Sequence, residues 1–297
     1  MNLNFKVTSQ NDKKPLNIFL KKCGISSSYI KKIKYYENGI KVNNKREHTN
    51  YIVHSGDMVS ILVLFEDEHY SCEPQNIPIK VYYKSSYSMV VEKNAYMAMY
   101  KTALHKDNTL ANAFSFYMQN LNKMLSFRPV YRLDRNTSGL VLVALNSLSV
   151  PFLSDNMEKE YIALVEGEMP DKSGIIETGI ALEDNSIIKR CVSNKDIAKK
   201  SITIYETLFS TKELSLVKLI LKTGRTHQIR VHMSHIGHPL LGDDLYGGST
   251  NLINRHALHC YKINFTEPDG TVKEITSPLP HDMTKIINAT MSVNILP

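Results

Sequence analysis

Residues 131–146 read YRLDRNTSGLVLVALN, a short polar stretch that runs directly into an apolar segment. The apolar part, LVLVALN, is aliphatic and follows a Thr-Ser-Gly turn, a pattern that predicts a buried strand. Asp134 stands just before this strand, between Arg132 and Arg135. Such an acid is either a turn residue neutralised by its neighbours or a carboxylate kept ionised at the rim of a sheet to act on a substrate.

Several other stretches predict the fold around this strand. Strand-like sequences occur at 81–94, 160–169, 201–210 and 214–224. Residues 109–125 predict one helix, with an apolar face formed by Leu110, Phe114, Tyr117 and Leu121. Many strands separated by few helices are typical of an α+β protein with a mixed, mainly antiparallel sheet. Neither a GxGxxG nor a Walker pattern is present in the sequence, so a dinucleotide or P-loop site is not indicated.

Composition is typical of a globular intracellular protein. The chain has 297 residues, of which 42% are hydrophobic, enough for a large core or for two domains. The sequence shows neither an apolar run long enough to span a membrane nor a signal peptide, and we expect a cytoplasmic protein. The four cysteines are widely spaced and are expected to be free thiols.

The net charge of +7 is concentrated at one end of the chain. Residues 1–60 contain eleven Lys or Arg and four Asp or Glu, whereas the remainder contains 25 of each class. A basic module ahead of a neutral one is typical of a polyanion-binding appendage on an enzyme, although a lysine-padded surface would give the same excess. We place the boundary in the acidic, proline-containing linker at about 65–78.

The basic segment has the pattern of a folded domain. Its apolar spacing predicts two short helices, the second beginning after serines suited to an N-cap, and then short strands on either side of turns. Residues 12–64 resemble the small αL-type RNA-binding domain first described in a small-subunit ribosomal protein. That resemblance implies an α/β RNA-binding domain at 1–70. Phosphates would be met by the lysines of the helical pair, which include Lys21, Lys22, Lys31 and Lys32.

A second polar stretch, LKTGRTHQIRVHMSHIGHPLLGDDLYGG, occupies 221–248. A strand ends at its Thr-Gly turn, and Thr223 or Thr226 is expected to cap a helix that stops at Gly237. Arg230 would project from the first turns of that helix, where either a surface role or an active-site role is open. The histidines of the stretch lack an HExxH pattern, so packing, capping or RNA contacts are favoured over a metal site.

These stretches, together with KEYIALVEG and RHALHCYKINF, resemble the RluA-type pseudouridine synthases in order and approximate spacing from about 81 to 280. The resemblance implies the pseudouridine synthase fold, with a catalytic domain at 79–297, and isomerisation of uridine to pseudouridine in structured RNA. An αL-type domain ahead of it is the arrangement of a large subgroup that includes RluC-like and RluD-like enzymes. Large-subunit ribosomal RNA is the first expected target and transfer RNA the second.

The resemblance also implies roles for individual residues. Asp134 matches the catalytic aspartate, Tyr161 the tyrosine that contacts the target base, and Arg230 the arginine that forms a salt bridge to the aspartate. Arg132 matches the arginine that fills the space left by the target nucleotide. Further substrate contacts are expected from residues adjoining the two motifs, namely Tyr131, Arg225, Thr226 and His227.

Two departures from the family pattern are evident. Tyr131 stands where the family usually has His, and Lys93-Asn94-Ala95-Tyr96 stands where it has a KPxG sequence. The first leaves the RNA contact of this position open, and the second leaves the loop geometry open.

The reaction needs an ionised carboxylate at the ribose, and a nearby cation favours that form. It needs neither a cofactor nor a metal, and we expect a monomer whose partner is RNA. Two alternatives remain open at this point: a non-catalytic RNA-binding assembly factor, and a metal hydrolase that uses the histidines.

Overall fold

The chain is described here by a computed structural model that covers residues 2–64, 72–103 and 105–291. Its first part contains two helices, α1 (Leu16–Lys22) and α2 (Ser27–Ile33), and six short strands: β1 (Asn2–Lys6), β2 (Lys14–Pro15), β3 (Ile40–Val42), β4 (Lys45–Arg46), β5 (Ile52–Val53) and β6 (Met58–Leu62). Four of the strands form a sheet in the order β1-β6-β3-β4, and β2 pairs with β5.

Both predicted N-terminal helices are confirmed. In α1 the apolar side chains Leu16, Phe19 and Leu20 are buried, which fixes the helix against the small sheet. In α2 the hydroxyl of Ser26 accepts a hydrogen bond from the amide of Tyr29, as the serine pattern predicts. The strand β1 is an addition to the prediction, and it completes the sheet by pairing antiparallel with β6.

The larger part of the chain is built on one sheet of ten strands: β7 (Val81–Lys84), β8 (Ser88–Lys93), β9 (Ser138–Ala144), β10 (Met157–Glu166), β11 (Ser173–Leu182), β12 (Arg190–Val192), β13 (Lys199–Ser210), β14 (Leu214–Leu221), β15 (Leu258–Thr266) and β16 (Val272–Thr276). The order is β12-β11-β13-β14-β10-β15-β9-β8-β7, and β16 pairs with β15. Four helices accompany the sheet: α3 (Leu110–Asn120), α4 (Ser149–Asp155), α5 (Gln228–His235) and α6 (His281–Met291). The predicted α+β class with a mixed, mainly antiparallel sheet is confirmed.

Within the described residues, the one parallel pairing of the large sheet joins β9 to β15. Gly139 pairs there with Cys260 and has a φ of 120°, a conformation that side chains other than glycine rarely adopt. A Cβ atom at this position would lie 2.4 Å from the carbonyl oxygen of Cys260. The glycine of the opening motif therefore allows β9 to approach β15 closely, and this contact fixes the loop that carries Asp134.

The helix α3 is shorter than predicted. It begins with a capping box between Thr109 and Asn112 and buries Leu110 and Phe114, as expected. It ends at Asn120, so Leu121 lies just beyond the last helical residue and is exposed; its predicted place on the apolar face was wrong.

The two parts of the chain contact each other directly. Tyr87 and Leu148, from the larger part, are buried in the same apolar cluster as the core of residues 2–64. Gly24 faces the Phe152 ring, because a Cβ atom added there would lie 3.3 Å from it. Of the predicted linker, residues 65–71 lie outside the described residues. Across the described ranges, none of the helices is long and apolar enough to cross a membrane.

Candidate active site

Asp134 lies in the loop that precedes β9. Its backbone carbonyl accepts a hydrogen bond from the Thr137 amide at 3.1 Å, which closes a turn. The Thr137 hydroxyl is hydrogen-bonded to Nε2 of His256 at 2.8 Å, and the Ser138 hydroxyl is hydrogen-bonded to Nδ1 of His259 at 2.9 Å. All four of these partners are buried, whereas the side chain of Asp134 is 29% exposed. The loop is thus anchored to the segment around β15 while its carboxylate faces outward.

Arg230 contacts two carboxylates. Its Nη1 lies 3.5 Å from Oδ2 of Asp134, in agreement with the expected pair. Its tighter partner is Asp243, which accepts from Nε and Nη2 at 2.7 Å each in a buried bidentate pair. The guanidinium also lies over the Tyr246 ring, 4.9 Å from the centroid. Burial alone would lower the pKa of Arg230, but hydrogen bonding to Asp243 and the charges of Asp243 and Asp134 raise it. Arg230 is therefore a fixed cation beside Asp134.

His227 is a second neighbour of Asp134. It precedes the first residue of α5 in a left-handed conformation with a φ of 58°. Its Nε2 lies 3.8 Å from Oδ2 of Asp134, and its Nδ1 is 2.9 Å from the Tyr246 hydroxyl. Burial lowers the pKa of His227, which the charge of Asp134 only partly offsets. The imidazole is accordingly neutral near pH 7.

The predicted cap of α5 was wrong. We expected Thr223 or Thr226 to cap the helix, but His227 occupies that position. The Thr223 hydroxyl instead donates to the side-chain oxygen of Gln228 at 2.9 Å, and that oxygen also accepts from the Arg225 amide. This arrangement turns the chain sharply before α5 and brings His227 against Asp134.

Tyr161 faces the same cavity from β10. The pairing of β10 with β15 shifts register between Glu160 and Tyr161, and such bulges redirect side chains near active sites. The residue is buried, which raises the pKa of its phenol well above the ordinary value. Tyr161 lines one small cavity together with Asp134, His227 and Arg230. The three residues predicted to be catalytic are therefore brought together.

A larger cleft of about 640 Å³ adjoins this cavity and shares Asp134 and Tyr161 with it. We call the two together the active-site cleft. The remaining substrate-binding residues predicted for this part of the chain also line it: Tyr131, Arg132, Arg225 and Thr226. By contrast, Lys21, Lys22, Lys31 and Lys32 lie exposed on α1 and α2 and are not among the residues that line it.

Tyr131, the first departure from the family pattern, is partly buried in the wall of the cleft. Its hydroxyl donates to the carbonyl of Leu140 at 2.6 Å, and the Lys159 ammonium lies 5.0 Å from the ring centroid. Burial raises the pKa of this phenol well above its ordinary value. The polar tip of Tyr131 is thus turned towards β9, and its ring contributes packing to the wall.

Lys93, in the second departure, was not predicted to serve the site. Its ammonium is buried and donates to the carbonyls of Asn94, Met97 and Arg135 at 2.9, 2.9 and 3.0 Å. Burial lowers the pKa of Lys93 to about 7, while the charge of Asp134 acts in the opposite direction. Because Arg135 follows Asp134 directly, Lys93 ties the end of β8 to the Asp134 loop.

The histidines that raised the metal alternative are engaged elsewhere. His232 is buried between the hydroxyls of Thr178 and Thr203, and Nδ1 of His238 contacts the carbonyl of Glu166. In the part of the chain that the structure describes, no group of three or more His, Cys, Asp or Glu side chains is placed to hold a metal ion.

Comparisons with known proteins agree with the site and the fold. The family model described as RNA pseudouridylate synthase matches residues 87–235, which include Asp134, Tyr161 and Arg230. An uncharacterized RNA pseudouridine synthase of Bacillus subtilis (strain 168), YjbO, is 33% identical over 274 residues, covering 89% of this chain and 95% of the relative. The ribosomal large subunit pseudouridine synthase D of Borreliella burgdorferi is 35% identical, covering 74% of this chain and 72% of the relative.

A solved structure agrees at the level of the fold. Human RNA pseudouridylate synthase domain containing 1 matches 76% of this chain and all of its own, with a TM-score of 0.56 and 24% identity. The architecture is thus that of the pseudouridine synthases, enzymes that rebuild a nucleoside within an RNA chain. This chain belongs to the RluA-type RNA pseudouridine synthases. It is an isomerase that converts uridine to pseudouridine in RNA.

Proposed function

We propose that Asp134 is the catalytic carboxylate of this enzyme and that its substrate is large-subunit ribosomal RNA. The observation that supports the first part is the position of Asp134: it is partly exposed in the cleft, 3.5 Å from a fixed cation and beside Tyr161. A carboxylate held this way is ionised and accessible to a ribose at the same time.

The reaction exchanges one bond for another. The C1′–N1 bond breaks, the uracil turns, a C1′–C5 bond forms, C5 loses its proton and N1 gains one, so neither a redox change nor a group transfer occurs. Asp134 would act first, either by attack on C1′ or by removal of a ribose proton. Tyr161 lies where it could stack on the detached uracil, in a cleft where the base would be held for reattachment.

Arg230 and His227 would serve Asp134 in different ways. Because Arg230 is held by Asp243 from the opposite side, its charge stays next to Asp134 whether or not substrate is bound. His227 is neutral and fixed by Tyr246, so it adds a polar contact without a second positive charge. The carboxylate would thus remain available to act on the ribose.

The target uridine must leave its base stack to reach Asp134, which costs a few kcal/mol. Arg132 is exposed at the mouth of the cleft and would fill the space that the nucleotide vacates. Tyr131 would shape the wall of the cleft rather than bind RNA through its hydroxyl, which is already bonded to Leu140.

We further propose that residues 1–70 form an αL-type RNA-binding domain and that 79–297 form the catalytic domain. The exposed lysines of α1 and α2 support this proposal, because no acid among the described residues forms an ion pair with Lys21, Lys22, Lys31 or Lys32. Unpaired surface lysines contribute to phosphate binding through counterion release.

The proposed ribosomal target draws on this basic module and on the relatives named as ribosomal large subunit pseudouridine synthases D. Mapping pseudouridines in a deletion strain, complemented either with the wild-type gene or with Asp134→Asn, tests it. We expect large-subunit sites that vanish on deletion and return only with the wild-type gene. Sites lost solely from transfer RNA would contradict the target, and sites restored by Asp134→Asn would contradict the catalytic role.

A further inference from the structure

A second cavity, of about 410 Å³, lies beside the active-site cleft. The two are contiguous, because the turn formed by Gly224, Arg225 and Thr226 lines both. The far side of the second cavity is formed by the end of β11, by β12 and by the start of β13. We call it the cationic cavity, because Arg190, Lys199 and Arg225 contribute to its lining and none of its lining residues is an acid.

The three cations of this cavity differ from their neighbours. Three nearby lysines are each within ion-pair distance of a carboxylate: Lys189 with Glu183, Lys195 with Asp184, and Lys200 with Glu177. Arg190, Lys199 and Arg225 have no such partner among the described residues. Neutralisation by acids is thus the rule on this part of the sheet, and the lining of the cavity departs from it.

Arg190 shows the imbalance most clearly. Its side chain is half-buried, and its Nε is a buried donor with no hydrogen-bond partner within the described ranges. Its backbone amide donates to the Tyr246 hydroxyl at 2.9 Å, the same hydroxyl that contacts His227. A buried, unpaired guanidinium is costly unless an anion meets it. Arg190 is therefore built into the support of the active site and still lacks an anion.

Arg225 completes the arrangement from the other side. Its Nε donates to the carbonyl of Lys200 at 3.3 Å, which orients the guanidinium. Guanidinium groups match phosphate oxygens well, because they offer several donors in one plane. The hydroxyl of Thr226 and the apolar side chain of Ile197 share the cavity, which suits a phosphate flanked by a ribose.

We propose that the cationic cavity binds a backbone phosphodiester of the RNA strand that carries the target uridine. This inference rests on the proposed function only in that the strand must run through the cleft of Asp134. A nucleotide held at Asp134 is covalently joined to phosphates on both sides, and the shared turn at 224–226 gives one of them a direct path into the cavity. Contacts of this kind position the strand without reading its sequence.

The test uses the full-length chain with the Asp134→Asn substitution, so that RNA affinity is measured without turnover. Lys199→Gln and Arg225→Gln alter exposed side chains and should preserve the fold, which thermal unfolding checks. Each is expected to weaken RNA binding about tenfold, and to lower the slope of log affinity against log salt by about one. Arg190→Gln should weaken binding likewise, but it is interpreted only if its melting temperature is unchanged.

Matched controls are Lys195→Gln and Lys200→Gln, which remove the same charge from the same strands outside the cavity. We expect them to bind RNA within twofold of the parent. Equal losses in controls and cavity variants, or wild-type affinity in both exposed cavity variants, would overturn the proposal. Competition by inorganic phosphate at submillimolar concentration, lost in Arg225→Gln, would also overturn it in favour of a free-anion site.

The same substitutions in the active enzyme separate this proposal from the catalytic one. Cavity variants should raise KM much more than they lower kcat, whereas Asp134→Asn should remove turnover and keep RNA affinity. If Asp134→Asn retains turnover, the catalytic role fails while the affinity data still decide the cavity. If the cavity variants bind normally, the cavity fails while the role of Asp134 stands.

Discussion

At the residue scale, Arg230 is shared between two carboxylates of different exposure. Asp243 is 1% exposed and binds the guanidinium through two short hydrogen bonds. Asp134 is partly exposed and makes one longer contact at 3.5 Å. The two acids therefore have separate tasks: Asp243 stabilises the buried cation, and Asp134 remains free to meet the substrate.

This division predicts different stability losses for two similar substitutions. Asp243→Asn leaves a buried guanidinium without its charge partner and should lower the free energy of unfolding by about 3 kcal/mol or more. Asp134→Asn removes a longer, partly exposed contact and should lower it by less than about 1 kcal/mol. Urea unfolding of both variants measures the difference. Equal losses would mean that Arg230 does not depend on Asp243.

At the element scale, the turn after β8 shows how the chain accommodates its departure from KPxG. The family glycine aligns with Tyr96, which has a φ of 64° here and is exposed. The backbone is thus in a glycine-like conformation despite the tyrosine. Lys93 holds this turn through the carbonyls of Asn94 and Met97, so the loop geometry is retained at the cost of local strain.

A pair of substitutions measures that strain. Tyr96→Gly relieves the left-handed conformation, whereas Tyr96→Ala removes the same ring and retains the Cβ atom. We expect the glycine variant to be about 1 kcal/mol more stable than the alanine variant in urea unfolding. A more stable alanine variant would show that the turn is not strained.

At the scale of the whole molecule, buried neutral histidines make the fold sensitive to acid. Burial lowers the pKa of His232 to about 4, of His256 to about 2 and of His259 to about 3. Each is hydrogen-bonded through its ring to a hydroxyl group. In the unfolded chain these side chains take up protons below about pH 6.5, whereas in the native state they do so only at much lower pH.

Stability should therefore fall as the pH drops below about 6.5. Because the unfolded state binds more protons in this range, each histidine contributes a slope of up to about 1.4 kcal/mol per pH unit. Urea unfolding at pH 7, 6 and 5 measures the total. His259→Gln should reduce the slope by up to one proton, whereas the exposed His48→Gln should leave it unchanged; an unaltered slope in His259→Gln would contradict this explanation.

The basic N-terminal module is expected to supply affinity for RNA. Replacing Lys21, Lys22, Lys31 and Lys32 together with Gln should raise KM and reduce its salt dependence by up to about four contacts. The matched control replaces four lysines that are paired with acids in the structure, namely Lys189, Lys195, Lys200 and Lys218. If both quadruple variants raise KM equally, net charge rather than this module is responsible.

Much of the fold could be predicted from the sequence, because periodicity and turn residues report local structure. The strands β9, β10, β13 and β14 and the helices α1 and α2 follow their patterns, since each buries a continuous apolar face. The partnership of Arg230 with Asp243 and the threefold contact of Lys93 could not be predicted in this way. They join residues distant in the chain, and the Gly-Asp-Asp sequence at 242–244 was the one available signal for Asp243.

The most direct test of the central claim is release of C5 tritium from uracil-labelled RNA by the purified enzyme and by Asp134→Asn. Each release event requires that C5 lose its proton after the base has turned. The exposed Asp171→Asn serves as the control for a conservative change of an acid. We predict turnover by the wild type and by Asp171→Asn, and none by Asp134→Asn, which should still bind the RNA. Tritium release by a clean preparation of Asp134→Asn would contradict the role assigned to this carboxylate.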